Sequence, residues 1–342
     1  MISPYPMALG PVAVGKVWGG SSLARFAGLT EAPAEPIGEI WSLSALDQRP
    51  TVVTNGPLAG MPLPEALGQI EGAPPAPFPL LVKVLEATTP ISLQVHPSDA
   101  FARAQGFACG KSEAWLILKV GPTGRVLHGL RDGVSLPEFV DALERGAEDV
   151  LRCVRQFKVA EGDVIPILSG TVHATLGELV WAEVQQSSDL TYRLCDWGRT
   201  GRELHVDRAM AALDPRPPCP APVSGLTLEV QVATRRLLVA CRPFVMEEIH
   251  LTGHWSAPTR GHPFEILMGL RGKPQVECRG DSLQLLPGRS VLLPAPLPFA
   301  ISSRSPGRLL RVYQADLESE LRPALVAAGH SPERIATTLF SS

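Results

Sequence analysis

Four side chains in this 342-residue chain have the types and spacing to hold a divalent cation. Gln94 and His96 stand two apart in Ile91-Ser-Leu-Gln-Val-His96. Glu113 opens the next apolar run, and His173 closes the segment Gly162-Asp-Val-Ile-Pro-Ile-Leu-Ser-Gly-Thr-Val-His173. Residues two apart on a strand leave the same face, so Gln94 and His96 can converge on one point. With Glu113 and His173 supplied by two further elements, four groups can meet inside a barrel. Two imidazoles, a carboxylate and an amide oxygen suit zinc, and Fe(II) and Mn(II) are compatible by ligand type. A single histidine on a strand is more often a hydrogen-bonded structural residue. His128, His205, His250, His254, His262 and His330 lack companions at useful spacing and are read that way.

The elements that must position these groups are mostly strands. Pro79-Leu-Leu-Val-Lys-Val-Leu85 and Ile91-Ser-Leu-Gln-Val-His96 are β-branched apolar runs, the second alternating with period two. Trp115–Val120, the turn Gly121-Pro-Thr-Gly124 and Arg125–His128 predict a hairpin. Helical spacing begins at Ser135, a suitable N-cap, and predicts one or two helices across 136–156. Strands resume at 163–168, 178–184 and 190–194, with Gly170 where the chain must turn sharply toward His173. The proline-rich run from Leu213 to Pro222 favours extended backbone and marks a boundary. Beyond it come short strands over 226–314 and a closing helix over about 316–329.

The 34 prolines and 31 glycines are spread through many short apolar runs, the texture of a mainly β chain with many turns. The length exceeds what one core usually serves and predicts two domains. These are a metal-binding unit at 1–212, a linker at 213–224 and a second β unit at 225–342. A net charge of −3, from 31 basic and 34 acidic residues without a polybasic run, leaves no footprint for nucleic acid or anionic lipid. A small molecule is the expected partner. Neither a signal-type N-terminus nor an apolar run of membrane length is present, which predicts a cytoplasmic location with no membrane partner. Six cysteines without CxxC spacing are expected to be reduced thiols.

The segment Gly162-x5-Leu168-x-Gly170-x2-His173 resembles the second motif of the cupin superfamily, with Leu168 where that motif usually has proline. Further strings narrow the likeness. Lys16-Val-Trp-Gly-Gly20, Gly38-Glu-Ile-Trp-Ser-Leu-Ser44, Pro79–Leu85, Ile91–Pro97, Gly110-Lys-Ser-Glu-Ala-Trp115, Ser169–Ala174 and Glu183–Arg193 resemble, in the same order, type I mannose-6-phosphate isomerases of the shorter bacterial branch. The resemblance runs from about residue 4 to about 210, and more weakly to the C-terminus. It implies two cupin-like jelly-roll units with a small helical insert in the first. It also implies one zinc ion on Gln94, His96, Glu113 and His173, a catalytic Arg193, and a sugar-phosphate pocket ringed by Lys83, Lys111 and Asp189. Two positions depart from the family: Leu43 stands where a glutamate is usual, and Gly110 where longer members carry histidine. Gly288–Phe299 resembles a cupin motif without its metal-binding histidine, so the second unit is expected to be metal-free.

The implied reaction interconverts mannose 6-phosphate and fructose 6-phosphate by moving a proton between C2 and C1 through a cis-enediol-like intermediate. Lys111 and Asp189 are expected beside Arg193 in the catalytic group, with Lys83 binding substrate. Each has a plainer reading. Lys83 could be the outward polar residue of an alternating strand, and Asp189 with Arg193 a surface ion pair of little energetic weight. Trp18, Trp41, Trp115 and Trp181 are read as packing. An Fe(II) cupin oxygenase and a non-catalytic sugar-phosphate-binding cupin are the competing functions.

Overall fold

Alternation of residue type along the strands decides what each face of the first unit meets. The computed structural model describes residues 1–26, 35–74, 76–230, 232–257 and 261–340. Six antiparallel strands run side by side in the order Val164–Ile167, Glu113–Val120, Leu179–Gln186, Leu80–Ala87, Ile37–Leu43 and Val12–Gly20. A second sheet is ordered Tyr192–Cys195, Leu93–Val95, His173–Leu176, Arg125–Leu130 and Val154–Lys158. Between them lies a core containing Leu85, Leu93, Val95, Trp115, Ile117, Val126 and Trp181. The opposite face of the six-stranded sheet, with Ile40, Val82, Val84, Leu116, Ala182 and Val184, forms one cluster with Met246, Phe264, Ile266 and Val312 from the C-terminal part. Both faces are thus covered, which explains why every residue of Leu80–Ala87 and Leu179–Gln186 is buried.

One local expectation is corrected. Glu113–Val120 and Arg125–Leu130 are consecutive strands but do not pair with each other. The first pairs with Val164–Ile167 and Leu179–Gln186, the second with His173–Leu176 and Val154–Lys158. Gly121–Gly124 therefore carries the chain from one sheet to the other. Turn residues specify that the chain reverses; where the strands pair is decided by the faces they bury.

The stretch 136–156 contains two helices, Leu136–Arg145 and Ala147–Cys153. The Ser135 hydroxyl accepts from Glu138 N at 3.3 Å, and Phe139, Ala142 and Val150 pack into the core of the first unit. At the other end of the chain, Asp316 caps a π-helical turn, Leu317–Leu321, that runs into Arg322–Ala327.

The C-terminal strands form one large curled sheet, in which the long strands Phe244–Ser256 and Ala300–Tyr313 bend at a register shift between Leu251 and Gly253. Two early strands join it. Met7–Gly10 pairs with Ser290–Leu293 and with Val52–Val53, so the first sixty residues help to build the second sheet. The proline-rich segment lies against the first unit, where Val223 and Val164 exchange backbone hydrogen bonds. Inside the second unit, Arg311 is fully buried between Glu247 and Glu265, and Arg235 pairs with Glu247. All six cysteines are free thiols.

Candidate metal centre and cavity

Cross-strand register builds the site as two facing rows. On the six-stranded sheet Trp41 lies opposite Lys83, Lys83 opposite Glu183, and Glu183 opposite Trp115. These odd-numbered residues share the inner face with Glu39, Leu85, Glu113 and Trp181, while their even-numbered neighbours pack outward. On the five-stranded sheet Arg193 lies opposite Gln94, and Gln94 opposite His173. His96, two residues beyond Gln94, falls on the same face.

These rows bring His96, Glu113 and His173 together, with one ligand atom of each within 4.8 Å of the others. Glu113 Oε2 lies 3.4 Å from His96 Nε2, and Oε1 lies 3.5 Å from His173 Nε2. All three side chains are buried. Both imidazoles have their tautomer set by the backbone. His96 Nδ1 faces Leu190 O at 2.8 Å, and His173 Nδ1 faces Thr171 O at 2.9 Å. A carbonyl only accepts, so each Nδ1 carries the proton and each Nε2 turns a lone pair inward. Gln94 Nε2 donates to His173 Nε2 at 3.2 Å, so its amide presents nitrogen to the ligand group. Gly170 holds the His173 loop in place: its N–H donates to His96 O at 2.7 Å, and its φ of +85° is a conformation that glycine adopts without strain.

The electrostatics favour a cation. Burial, then the Lys111 ammonium, push His96 down to about 3, and burial also lowers His173, so both imidazoles are neutral donors. Burial alone would raise Glu113, but Lys111 and the two imidazoles outweigh it and hold its carboxyl well below the ordinary range. Trp115 Nε1 donates to Glu113 Oε1 at 2.9 Å. Lys111 Nζ sits 2.9 Å from Glu113 Oε2, yet no donor is aligned with that buried oxygen for a hydrogen bond. Two inward nitrogens, an ionised carboxylate and a neighbouring amide, with the Lys111 ammonium 3.1 Å from His96 Nε2 and 2.9 Å from Glu113 Oε2, make a donor set that attracts a cation and fits a divalent metal ion.

The group adjoins a cavity of about 410 Å³ lined by Lys16, Trp18, Glu39, Trp41, Lys83, Gln94, Lys111, Trp115, Trp181, Glu183, Asp189, Arg193 and Arg202, among others. Lys83 faces this interior, where its ammonium lies 3.5 Å from both Glu39 and Glu183 and 5.2 Å from the Trp41 ring centre. Burial lowers Lys83 but the two carboxylates outweigh it and raise it. Burial, together with the nearby Glu113, raises Glu183. Glu39 is pulled down to about 2 against its own burial, by Lys83 and then by Lys16, which is 2.9 Å away.

Arg193 and Asp189 line the same cavity but do not pair. Asp189 accepts from Gln48 at 3.1 Å, and Arg193 Nη1 donates to Glu203 O at 2.6 Å. Arg193 Nε is buried with no partner. Arg202, beside it, is held by the buried Asp196, which also binds Arg199. His128 Nε2 donates to Pro166 O at 2.8 Å. The residues that sequence reasoning passed over are Lys16, Glu39, Glu183 and Arg202, all on the cavity wall; the four tryptophans, read as packing, line it too. A signal for the two glutamates existed: each is a carboxylate within an otherwise apolar strand. A larger cleft of about 860 Å³ beside the proline-rich segment contains none of the four expected ligands, and its Arg155 and Arg216 are paired with Asp132 and Asp214.

Two jelly-roll units, the first enclosing a His/Glu/His group, define a cupin-type protein with a candidate metal centre. A family model described as phosphomannose isomerase type I, catalytic domain, matches residues 7–111. Mannose-6-phosphate isomerase ManA of Bacillus subtilis is 31% identical over 302 residues, covering 84% of this chain and 93% of the relative. The Streptococcus mutans mannose-6-phosphate isomerase is 29% identical over 288 residues, covering 82% and 89%. The crystal structure of the B. subtilis mannose 6-phosphate isomerase superposes with a TM-score of 0.80 at 28% identity, over 91% of this chain and 99% of that one. The chain belongs to the type I mannose-6-phosphate isomerase family. No helix among the described residues is long and apolar enough to cross a membrane.

Proposed function

We propose that this protein is a zinc-dependent aldose–ketose isomerase that interconverts mannose 6-phosphate and fructose 6-phosphate by proton transfer between C2 and C1 through a cis-enediol-like intermediate. The observation that carries the reading is the buried His96–Glu113–His173 group, with both Nε2 lone pairs turned inward, at the wall of a polar cavity. Family membership supplies the reaction. His96, Glu113 and His173 would hold the metal, and Gln94 would complete the set once its amide is turned to present oxygen. A divalent cation there supplies Lewis-acid stabilisation of negative charge developing on the sugar's carbonyl oxygen.

The chain's own residues do the rest. Lys111, between the ligand group and the cavity, holds an ammonium beside the reacting carbons and steadies the same developing charge. Glu183, on the same sheet face as Glu113 and with Lys83 and Trp181 as partners, is a buried carboxyl that would accept and return a proton. Because Lys83 is already neutralised by Glu39 and Glu183, its part is to set the state of those carboxyls. The phosphate is better served by Arg193, whose Nε lacks a partner, and by Arg202 beside it. Asp189, at the cavity mouth, orients sugar hydroxyls. The tryptophans give the apolar walls on which a pyranose or open-chain sugar packs, and about 410 Å³ is within the usual size of small-ligand sites.

The test is isomerisation of mannose 6-phosphate in a coupled assay, before and after chelation. Activity lost on chelation and restored by zinc is the expected result. Absence of interconversion by zinc-loaded protein sinks the reading. Iron in the purified protein, with oxygen consumption, would point instead to an oxygenase; tight sugar-phosphate binding without turnover would point to a binding module.

A further inference from the structure

We propose that Asp99 and Gln186 are positioning residues that clamp the segment 110–112 and so fix Lys111 at the edge of the ligand group, facing the cavity. The inference rests on the reading of Lys111 given above. Lys111 precedes the Glu113–Val120 strand, outside the regular ladder of the sheet, so its placement needs another source.

Every peptide of the segment is fastened from outside it. Gly110 N–H donates to Asp99 Oδ1 at 2.8 Å, and Lys111 N–H donates to Pro97 O at 3.0 Å. Ser112 N–H donates to Gln186 Oε1 at 2.9 Å, while Gln186 N–H returns a bond to Ser112 O at 3.1 Å. The Gln186 carboxamide closes the circuit, its Nε2 donating to the same Asp99 Oδ1 at 2.9 Å. Ser112 Oγ accepts from Ser169 N at 3.1 Å, which ties the clamp to the loop that carries His173. Gln186 is buried, at 8% exposure, while the Asp99 carboxylate is partly exposed, so the network runs from the surface into the core.

The fit leaves no slack. A Cβ at position 110 would meet Pro97 O at 2.4 Å, Ser98 C at 2.5 Å and Asp99 N at 2.6 Å. The chain passes this close only because residue 110 is glycine. From this anchored backbone the Lys111 side chain reaches 3.1 Å from His96 Nε2 and 2.9 Å from Glu113 Oε2. Misplacing a reacting group by about 1 Å costs on the order of 100-fold in rate. Removal of Asp99 Oδ1 releases two of the six bonds at once.

The test compares Asp99→Ala with Asp99→Asn in the full-length, zinc-loaded protein. Asparagine keeps an oxygen at the Oδ1 position with two lone pairs, enough for both donors; its NH₂ replaces only the exposed contact to Arg103. Asp99→Ala is expected to lower kcat at least tenfold with KM within about threefold, to keep one metal per chain, and to speed amide exchange of the peptide covering 109–113. Asp99→Asn should restore kcat and exchange protection together, and Gln186→Leu should behave as Asp99→Ala. Wild-type kcat and protection in Asp99→Ala overturn the proposal. So does an equal loss in Asp99→Asn, or metal lost in step with activity, which would make the network a support for the ligands rather than for Lys111. Lys111→Ala is measured alongside. If it retains full activity, the reading of Lys111 fails, whereas a dead Lys111→Ala with an unimpaired Asp99→Ala removes the clamp alone.

Discussion

Replacing Lys83 by methionine tests the charge arrangement on the cavity's inner wall. Lys83 Nζ lies 3.5 Å from Glu39 Oε2 and 3.5 Å from Glu183 Oε1, and all three side chains are buried. At an effective dielectric of about 20, each pair is worth roughly 5 kcal/mol of direct attraction. Much of this is offset by the cost of burying the ammonium, and removing one partner of a buried pair typically costs about 3–5 kcal/mol. Glu39 keeps Lys16 at 2.9 Å and the Trp41 indole N–H at 2.6 Å. Glu183 keeps the Trp181 indole, at 3.3 Å, and the charge of Lys111. The expected loss for Lys83→Met is therefore about 4 kcal/mol at pH 8, on the order of 10 °C in Tm for a unit of this size.

The pH dependence follows from Glu183. Its carboxyl is already raised, by burial and then by Glu113, and loss of Lys83 raises it further. The folded variant then holds a proton that the unfolded chain releases above its ordinary value of 4.5. Stability of the variant must fall as pH rises from about 5 to 8, so the penalty is smallest at the acid end. Thermal and urea unfolding at pH 5 and pH 8 measure this, with Lys83→Met/Glu183→Gln as the companion variant that removes the stranded charge. A loss under 1 kcal/mol at pH 8, or a double variant no more stable than the single one, would refute the reasoning.

Three further outcomes are expected. His173→Ala should lower metal stoichiometry and isomerase activity together while circular dichroism stays native; full activity would remove His173 from the ligand set. Glu248 is drawn down to about 2 against its burial, by His250 and by Arg308 and Arg236. That depression contributes about 3 kcal/mol, present above the ordinary carboxylate pKa of 4.5 and lost as pH falls from there toward 2. Urea titrations at pH 7, 4 and 3 should show the loss in the wild type and less of it in Glu248→Gln. Arg202→Gln should raise KM for mannose 6-phosphate about tenfold or more and change kcat little; an unchanged KM places the phosphate elsewhere.

Much of the site was legible because chemistry-bearing residues stand out against an apolar, period-two background. Gln94 and His96 share a face by alternation alone, and the ordered strings around Glu113, His173 and Arg193 narrowed the family. Lys83 within Leu-Leu-Val-Lys-Val-Leu was open to two readings, a substrate-binding group or an outward polar residue, and the structure turns it inward. Its partners were not legible, since Glu39 and Glu183 lie 44 and 100 positions away and meet it only through strand register. The hairpin expected at 115–128 failed for a related reason. A turn is encoded by local residue types, whereas the sheet each flanking strand joins depends on which faces are buried elsewhere.

By itself, the sequence determined the mainly β character, the helical stretch after Ser135 and the residues able to ligate a metal, because periodicity and side-chain type are local properties. Tertiary structure decided which of them meet. It placed Arg193, Gln94 and His173 in one row, turned Lys83 inward between two carboxylates, and kept Asp189 and Arg193 apart. It also recruited Met7–Gly10 into the C-terminal sheet and fastened Lys111 through Asp99 and Gln186. Those outcomes rest on cross-strand register and buried hydrogen bonds between distant segments, which no local pattern specifies.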